Sequence, residues 1–107
     1  MPTSKKATVK AAKRGRPKGT KTFDPRIAKT FGAVVRERRL AAGLAQEQLA
    51  LLANSDRSFV GKVERGENQP SLVLILRLAA ALRCKAGELV EDVESRLART
   101  SATQDGD

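Results

Sequence analysis

The sequence has no histidine, tryptophan or tyrosine, and it has only one cysteine, Cys84. A lone cysteine cannot close an internal disulfide bond, and a chain without histidine cannot build a Ser-His-Asp triad or a Cys-His pair. Metal clusters of cysteine and histidine are excluded for the same reason. We therefore expect no enzymatic activity, no bound metal and no cofactor.

Long apolar runs are also missing. No stretch reaches the roughly 18 residues that a membrane-spanning helix needs, and the basic N-terminus lacks the apolar core of a signal peptide. The β-branched and aromatic runs that are typical of strands are absent as well. With 107 residues, of which 40% are hydrophobic, the chain has room for one small domain. We expect an all-α, cytoplasmic protein that does not bind membranes.

The positive charge is concentrated at the N-terminus. Residues 1–22 hold eight of the 21 lysines and arginines and none of the acidic residues, so the remainder has 13 basic residues against 12 acidic ones. A block of like charge stays disordered and commonly binds polyanions. We predict a disordered basic arm over residues 1–22, for which the alternative role is a leader that only improves solubility.

Within this arm, the segment KRGRPKGTK (residues 13–21) resembles the core of an AT-hook. A glycine separates two arginines and a proline follows them, which favours a thin, extended and cationic backbone. Such a segment can lie in the narrow minor groove of A·T-rich DNA. We predict that Arg14, Arg16 and Lys18 form a minor-groove arm, and the alternative is nonspecific binding to phosphates.

Helical spacing and capping signals predict five helices between residues 23 and 99. Asp24 and Pro25 mark the start of the first helix and Gly43 marks its end. The others are predicted over residues 46–53, 57–64, 72–83 and 86–99, followed by a frayed tail over residues 100–107. In helices two to four, the residues predicted to face inward are Leu49, Leu52, Ala53, Phe59, Val60, Val63, Leu72, Ile75, Leu76, Ala79 and Leu82.

Helices two and three are joined by a very short connection. A turn of this length sets two helices at a steep angle, as in a helix-turn-helix, whose second helix enters the DNA major groove. Arg57, Ser58 and Lys62 fall on the outward surface of helix three, and their side chains can bond to base edges. Gly61 is expected to leave an exposed position without side-chain bulk. The alternative is an ordinary solvated helix face.

A wider pattern distinguishes these two interpretations. The segments GLAQEQLA (residues 43–50), VERG (63–66) and PS (70–71) follow one another at the spacing of the lambda-repressor-like (Cro/repressor, XRE-type) helix-turn-helix family. The resemblance covers about Phe31–Leu89. It implies a five-helix bundle that binds double-stranded DNA in a bacterium or a phage.

The resemblance also assigns roles to individual residues. Gln46 matches the glutamine that bonds a phosphate and braces the recognition helix, while the three outward residues of helix three match base-reading positions. Arg39 and Glu64 match an ion pair between helix one and the end of helix three. Asn68 and Gln69 fall in the loop that touches the sugar–phosphate backbone.

Three positions depart from the pattern or have a plain explanation. Ala45 stands where serine or threonine usually caps helix two, a loss of about 1 kcal/mol in local stability. Arg65 is interpreted as a surface charge. Cys84 is interpreted as a residue that packs in the core.

These observations favour a sequence-specific transcriptional regulator, in particular a repressor that binds a palindromic operator as a homodimer. Two alternatives also act by binding DNA: an antitoxin with a toxin protein as partner, and a restriction–modification controller. An alternative of another class is a protein-binding adaptor that has lost DNA binding.

The dimer interface is predicted on helix five, with a contribution from Val73 and Leu74 of helix four. In this family the dimer commonly forms near the C-terminal part of the domain. The alternative is that helix five folds back over helices one and four. The interface residues predicted on helix five are Leu89, Val90, Val93 and Leu97.

Overall fold

The computed structural model describes the backbone of residues 23–106 and the side chains of residues 23–100. The predicted arm over residues 1–22, with Arg14, Arg16 and Lys18, lies outside the described residues. The described part contains five α-helices and no strand, which confirms the all-α prediction. The helices are α1 (Pro25–Ala41), α2 (Gln46–Leu52), α3 (Arg57–Glu64), α4 (Leu72–Ala81) and α5 (Ala86–Gly106).

The boundaries of α1 follow from local signals. The Oδ1 atom of Asp24 accepts hydrogen bonds from the backbone N–H groups of Arg26 (2.9 Å) and Ile27 (3.2 Å), and these donors would otherwise lack partners at a helix start. After the helix, Gly43 adopts a φ of 73°, which glycine tolerates without steric cost. Both predicted boundary signals are thus present in the structure.

The core lies between α1, α3 and α5, with α2 and α4 completing the bundle. The helix α1 packs against both α3 and α5, while α4 packs against α2 and α5. Every helix contributes at least one fully enclosed aliphatic side chain, so the five helices share one core. The residues of this core are Phe31, Val34, Val35, Leu49, Ala50, Ala53, Val60, Val63, Leu74, Leu78, Ala79, Leu89 and Val93.

The orientation of α4 differs from the prediction. Leu74 and Leu78 are buried, whereas Leu72 and Leu76, which were expected to face inward, are exposed. Arg77 is the one polar residue of this helix, LVLILRLAAA, so apolar side chains lie on nearly every side. Hydrophobic periodicity therefore cannot identify the inward face. The burial of Leu74 also removes it from the predicted dimer interface.

The end of α2 shows a second difference. Leu49 and Ala53 are buried as predicted, but Leu52 is 60% exposed, and Ala50 is buried instead. A helix of only seven residues presents a narrow inner face, and α2 packs mainly against α3 and α4. Leu51 and Leu52 therefore both lie at the surface.

The helix α5 folds back over the bundle and corrects part of the predicted interface. Leu89 and Val93 are buried in the core, so neither is available to a second copy of the chain. Leu97 packs against that core from one side, and Val90 remains 44% exposed. The helix also continues to Gly106, beyond the end predicted near Arg99.

An ionic contact fastens α5 to α1. The guanidinium group of Arg96 donates from Nη2 to Glu37 Oε1 (2.6 Å) and from Nη1 to Glu37 Oε2 (3.0 Å). Its Nε donates to Asp92 Oδ1 at 2.9 Å, one turn earlier on α5. Bidentate geometry of this kind is the strong form of an arginine–carboxylate contact. It holds α5 in the position where Leu89 and Val93 fill the core.

Candidate nucleic-acid interface

The turn between α2 and α3 is built from backbone hydrogen bonds and one cap. The Ser55 N–H donates to the Ala50 carbonyl at 2.8 Å, and Asn54 adopts a φ of 56° between the helices. Asparagine is one of the few residues other than glycine that tolerates this conformation. Asp56 then caps α3 by accepting the Phe59 N–H at 2.8 Å. The two helices are thereby joined as the short connection predicts.

The helix α3 has a buried side and a polar side. Val60 and Val63 are enclosed in the core, while Arg57, Ser58 and Lys62 are exposed. The structure therefore places the three predicted base-reading side chains at the surface of the second helix of the turn. Their contacts with bases remain predictions.

Gly61 differs from the prediction. It is buried, because the side chains of Arg65 and Gln46 lie close to it. A Cβ atom at this position would lie 3.1 Å from Arg65 Nη1 and 3.7 Å from Gln46 Oε1. The Arg65 guanidinium group covers it. Gly61 lines a cleft of about 320 Å³ together with Arg57 and Ser58. The glycine thus makes room for a folded arginine instead of leaving an open position beside the bases.

A buried ion pair connects α1 to the end of α3. Arg39 Nε donates to Glu64 Oε2 at 2.6 Å, and Arg39 Nη2 donates to Glu64 Oε1 at 3.1 Å. The side chains are only 9% and 2% exposed. A third donor, Arg39 Nη1, bonds to the Leu44 carbonyl at 2.8 Å. The structure therefore contains the Arg39–Glu64 contact that the resemblance implied.

Gln46 joins this network. Its Nε2 donates to Glu64 Oε1 at 3.0 Å, so the first residue of α2 is linked directly to the last residue of α3. This bond is consistent with the predicted bracing of the recognition helix. A side-chain amide has two N–H donors, and the contact of Gln46 with a phosphate stays a prediction.

The start of α2 lacks a side-chain cap, as expected from Ala45. The methyl group cannot accept a hydrogen bond, and no such bond is present at this N-cap. Gln48 compensates in part, because its Oε1 accepts the Ala45 N–H at 2.8 Å. This is one half of a capping box.

Beyond α3, the chain turns sharply at Gly66, which has a φ of 77° and lies against the backbone of Lys29. Arg65 and Glu67 pair across this turn, with Arg65 Nε donating to Glu67 Oε2 at 2.8 Å and Nη2 to Oε1 at 3.3 Å. The hydrogen bond from Arg65 is the largest influence on Glu67 and holds the pKa of its carboxyl below the ordinary value, with a smaller contribution from the charge of Lys62. No pattern in the sequence predicted this pair.

The loop after Glu67 also contacts the residue that precedes α1, Asp24. Gln69 Oε1 accepts the Asp24 N–H at 2.9 Å, so this loop lies beside the point where the N-terminal segment enters the fold. Asn68 in the same loop is partly buried. The predicted backbone contacts of Asn68 and Gln69 with DNA remain predictions. No sequence signal connected Gln69 with Asp24, because 45 residues separate them.

Other classes of site find little support in the described residues. Cys84 is partly buried and packs against the core, as predicted, and burial raises the pKa of its thiol. Among the described side chains of residues 23–100, no group of three or more Cys, Asp or Glu is placed to hold a metal ion. In the same range, no helix is long and apolar enough to cross a membrane.

Comparison with known proteins identifies the turn independently. A family model described as "Helix-turn-helix" matches residues 35–89, which include all of α2, α3 and α4. An uncharacterized HTH-type transcriptional regulator of Methanothermobacter thermautotrophicus is 38% identical over 60 residues, which cover 56% of this chain and 83% of that protein.

Solved structures show the same arrangement. The restriction-modification controller protein C.AhdI from Aeromonas hydrophila is 53% identical, with a TM-score of 0.57 over 58% of this chain and 94% of the other. The clp gene regulator ClgR from Corynebacterium glutamicum is 22% identical, with a TM-score of 0.68 over 74% of this chain and 84% of the other. At this lower identity, the likeness to ClgR concerns the fold alone.

Proposed function

Since the chain belongs to the XRE-type helix-turn-helix family and is a DNA-binding transcriptional regulator, we propose that it is a repressor that binds a palindromic operator as a homodimer. The observation that carries this proposal is the exposed polar side of α3, which the Arg39–Glu64 pair and Gln46 hold in a defined orientation. The proposed activity is binding alone, without catalysis, and it takes place on the chromosome in the cytoplasm.

The side chains on α3 have the chemistry that base reading requires. An arginine or lysine can donate to the O6 and N7 acceptors of guanine, and a serine can donate or accept. We assign these roles to Arg57, Lys62 and Ser58. Gln46 would donate its second N–H to a phosphate, and the loop with Asn68 and Gln69 would follow the sugar–phosphate backbone. Phosphate contacts set the position of the protein, while base contacts set the sequence.

Selection of bound sequences from a random DNA pool tests this assignment. We expect Arg57→Ala to weaken binding to the preferred site by roughly 1–3 kcal/mol and to relax its base preference. Lys62→Ala should do the same if its side chain reaches a base, and otherwise should only reduce the salt dependence. Arg36→Ala is the control, because it removes the same charge from an exposed position on α1. Unchanged sequence preference in both α3 variants would contradict the role of α3 as the reader.

The basic arm is the second part of the proposal. Because the Asp24 N–H bonds to Gln69, the arm joins the fold beside the loop that we place on the DNA backbone. This supports a role for Arg14, Arg16 and Lys18 in the minor groove next to the operator.

Deletion of residues 1–22 tests the arm. Up to eight cations are lost, so we expect weaker binding to every duplex and a smaller dependence on salt. If the segment recognises A·T-rich DNA, the loss is larger on operators with A·T flanks. An equal loss on A·T and G·C flanks would reduce the arm to a nonspecific phosphate contact.

The dimer is the third part, and the structure changes its predicted interface. With Leu89 and Val93 in the core, the exposed apolar side chains near α5 are Ile27, Val90 and those of the outer face of α4. An apolar groove of about 140 Å³ lies between Ile27 and Val90. Exposed apolar side chains and an apolar groove are typical features of an interface between copies. The α4 residues concerned are Leu72, Val73 and Leu76.

Sedimentation at micromolar concentration tests the dimer. We expect Leu76→Glu to shift the protein to monomers and to remove cooperative binding to a palindrome. Leu40→Glu is a matched control, because Leu40 and Leu76 are 54% and 52% exposed but lie on different helices. A wild-type protein that is strictly monomeric and binds a palindrome without cooperativity would contradict the dimer.

A restriction–modification controller is the second candidate role. The 53% identity with C.AhdI over 94% of that chain favours it. The genes beside this one distinguish the roles: a methyltransferase and an endonuclease would support a controller, and a toxin gene would support an antitoxin. A protein that binds no duplex in the selection experiment would leave the adaptor alternative.

A further inference from the structure

The Arg65–Glu67 pair occupies an unusual place for an acidic side chain. Arg65 lies over Gly61 and forms one wall of the cleft between α2 and α3, on the side of α3 that we place against DNA. Glu67 sits just beyond it and bonds to two nitrogens of the same guanidinium group. Both side chains are about half exposed, so the pair is open to an approaching ligand.

The contact that Glu67 makes is the one a phosphate would make. A guanidinium group presents parallel N–H donors that match carboxylate and phosphate oxygens equally well. Glu67 also interacts with the charge of Lys62, a predicted base-reading residue. A carboxylate at this position therefore neutralises positive charge on the DNA-facing surface and repels phosphates.

We infer that Glu67 acts as an internal substitute for a DNA phosphate, which holds Arg65 in the free protein and is displaced from it by the backbone of bound DNA. This inference rests on the proposed function, because it assumes that α3 and the following turn lie against a duplex. Arg65, interpreted from the sequence as a plain surface charge, becomes a phosphate-binding residue. Glu67 becomes a positioning residue that acts through Arg65.

The exchange weakens binding to all DNA sequences alike, because phosphates carry no sequence information. Because of this exchange, Arg65 also contributes little to the salt dependence of DNA binding. When Arg65 moves to a phosphate, the DNA releases a counterion, but the freed Glu67 carboxylate attracts one in return. The net release from this contact is close to zero, whereas an arginine without an internal partner would contribute a slope of about 0.9.

Glu67→Gln tests the inference in the full-length protein. We expect about two- to five-fold tighter binding to the selected operator and to a random duplex alike, a range typical of losing an exposed ion-pair competitor. The plot of log K against log salt should become steeper by about 0.9. Glu91→Gln is the matched control, since it removes the same charge from an exposed position on α5. A residue that only supported the turn would change the unfolding midpoint and leave the salt slope unaltered.

The double variant Arg65→Ala/Glu67→Gln locates the effect. If Glu67 acts through Arg65, Glu67→Gln tightens binding and steepens the slope less in the Arg65→Ala background than in the wild type, because only its direct repulsion of phosphates is left there. The inference is overturned if Glu67→Gln has the same effect as Glu91→Gln, or if its effect is undiminished without Arg65. The proposed binding of DNA is tested separately, because it fails if the wild-type protein selects and binds no duplex.

Discussion

The Arg39–Glu64 pair is predicted to be the interaction on which the position of α3 depends most. Together the two side chains use three guanidinium donors and both carboxylate oxygens, with partners in Leu44 and Gln46. Replacing Glu64 with Leu leaves a buried guanidinium group without its countercharge. Loss of one partner from a buried pair costs about 3–5 kcal/mol. A small domain has about 5–15 kcal/mol in total, so the variant should be close to its unfolding limit.

A double-mutant cycle separates the interaction from the cost of isolated charge. We expect Arg39→Met and Glu64→Leu each to lower the free energy of unfolding by about 3–5 kcal/mol in chemical denaturation. The double variant should lose less than the sum of the two, by up to about 3 kcal/mol, because neither charge is then stranded. Arg65→Met is the control, since it breaks an exposed pair and should change stability little. Strictly additive losses, or single losses below about 1 kcal/mol, would refute this account.

Three further outcomes are expected. Ala45→Ser should stabilise the fold by about 1 kcal/mol, because a hydroxyl group can cap α2; an unchanged denaturation midpoint would contradict the missing cap. Gly32→Ala should destabilise by about 1–3 kcal/mol, since a Cβ atom there would overlap the Val63 carbonyl oxygen, and an equally stable variant would mean that α1 and α3 are packed less closely. The hydrogen bond from Arg96 lowers the pKa of Glu37 from its ordinary 4.5, so this stabilisation is complete above that pH and is lost as the pH falls through the lowered pKa. Acid unfolding of Glu37→Gln should therefore show a shallower pH dependence, and an identical profile would exclude the contact.

Residues of the candidate site could be predicted from the sequence where their spacing along a helix was informative. Arg57, Ser58 and Lys62 were assigned to the outer side of α3 from their spacing, and the structure exposes all three. Arg39 and Glu64 were paired only through the family resemblance, because 25 residues separate them and no local rule connects the two.

The sequence by itself determined where α1 and α3 begin and end. Asp24 and Asp56 cap α1 and α3, and Gly43 and Gly66 follow the same two helices with positive φ angles. These signals work because a cap or a left-handed residue involves only neighbours within about four positions. The concentration of charge in residues 1–22 is likewise a property of the sequence alone.

Only the tertiary structure decided which faces are buried and which side chains meet. The apolar helix α4 could present either Leu72 or Leu74 to the core, and packing against α2 and α5 selected Leu74. The same packing drew Leu89 into the core. Arg65 folds over Gly61, and Gln69 reaches Asp24, because the bundle brings separate segments together. Contacts of this kind depend on the relative position of whole helices, which hydrophobic spacing within a single helix does not encode.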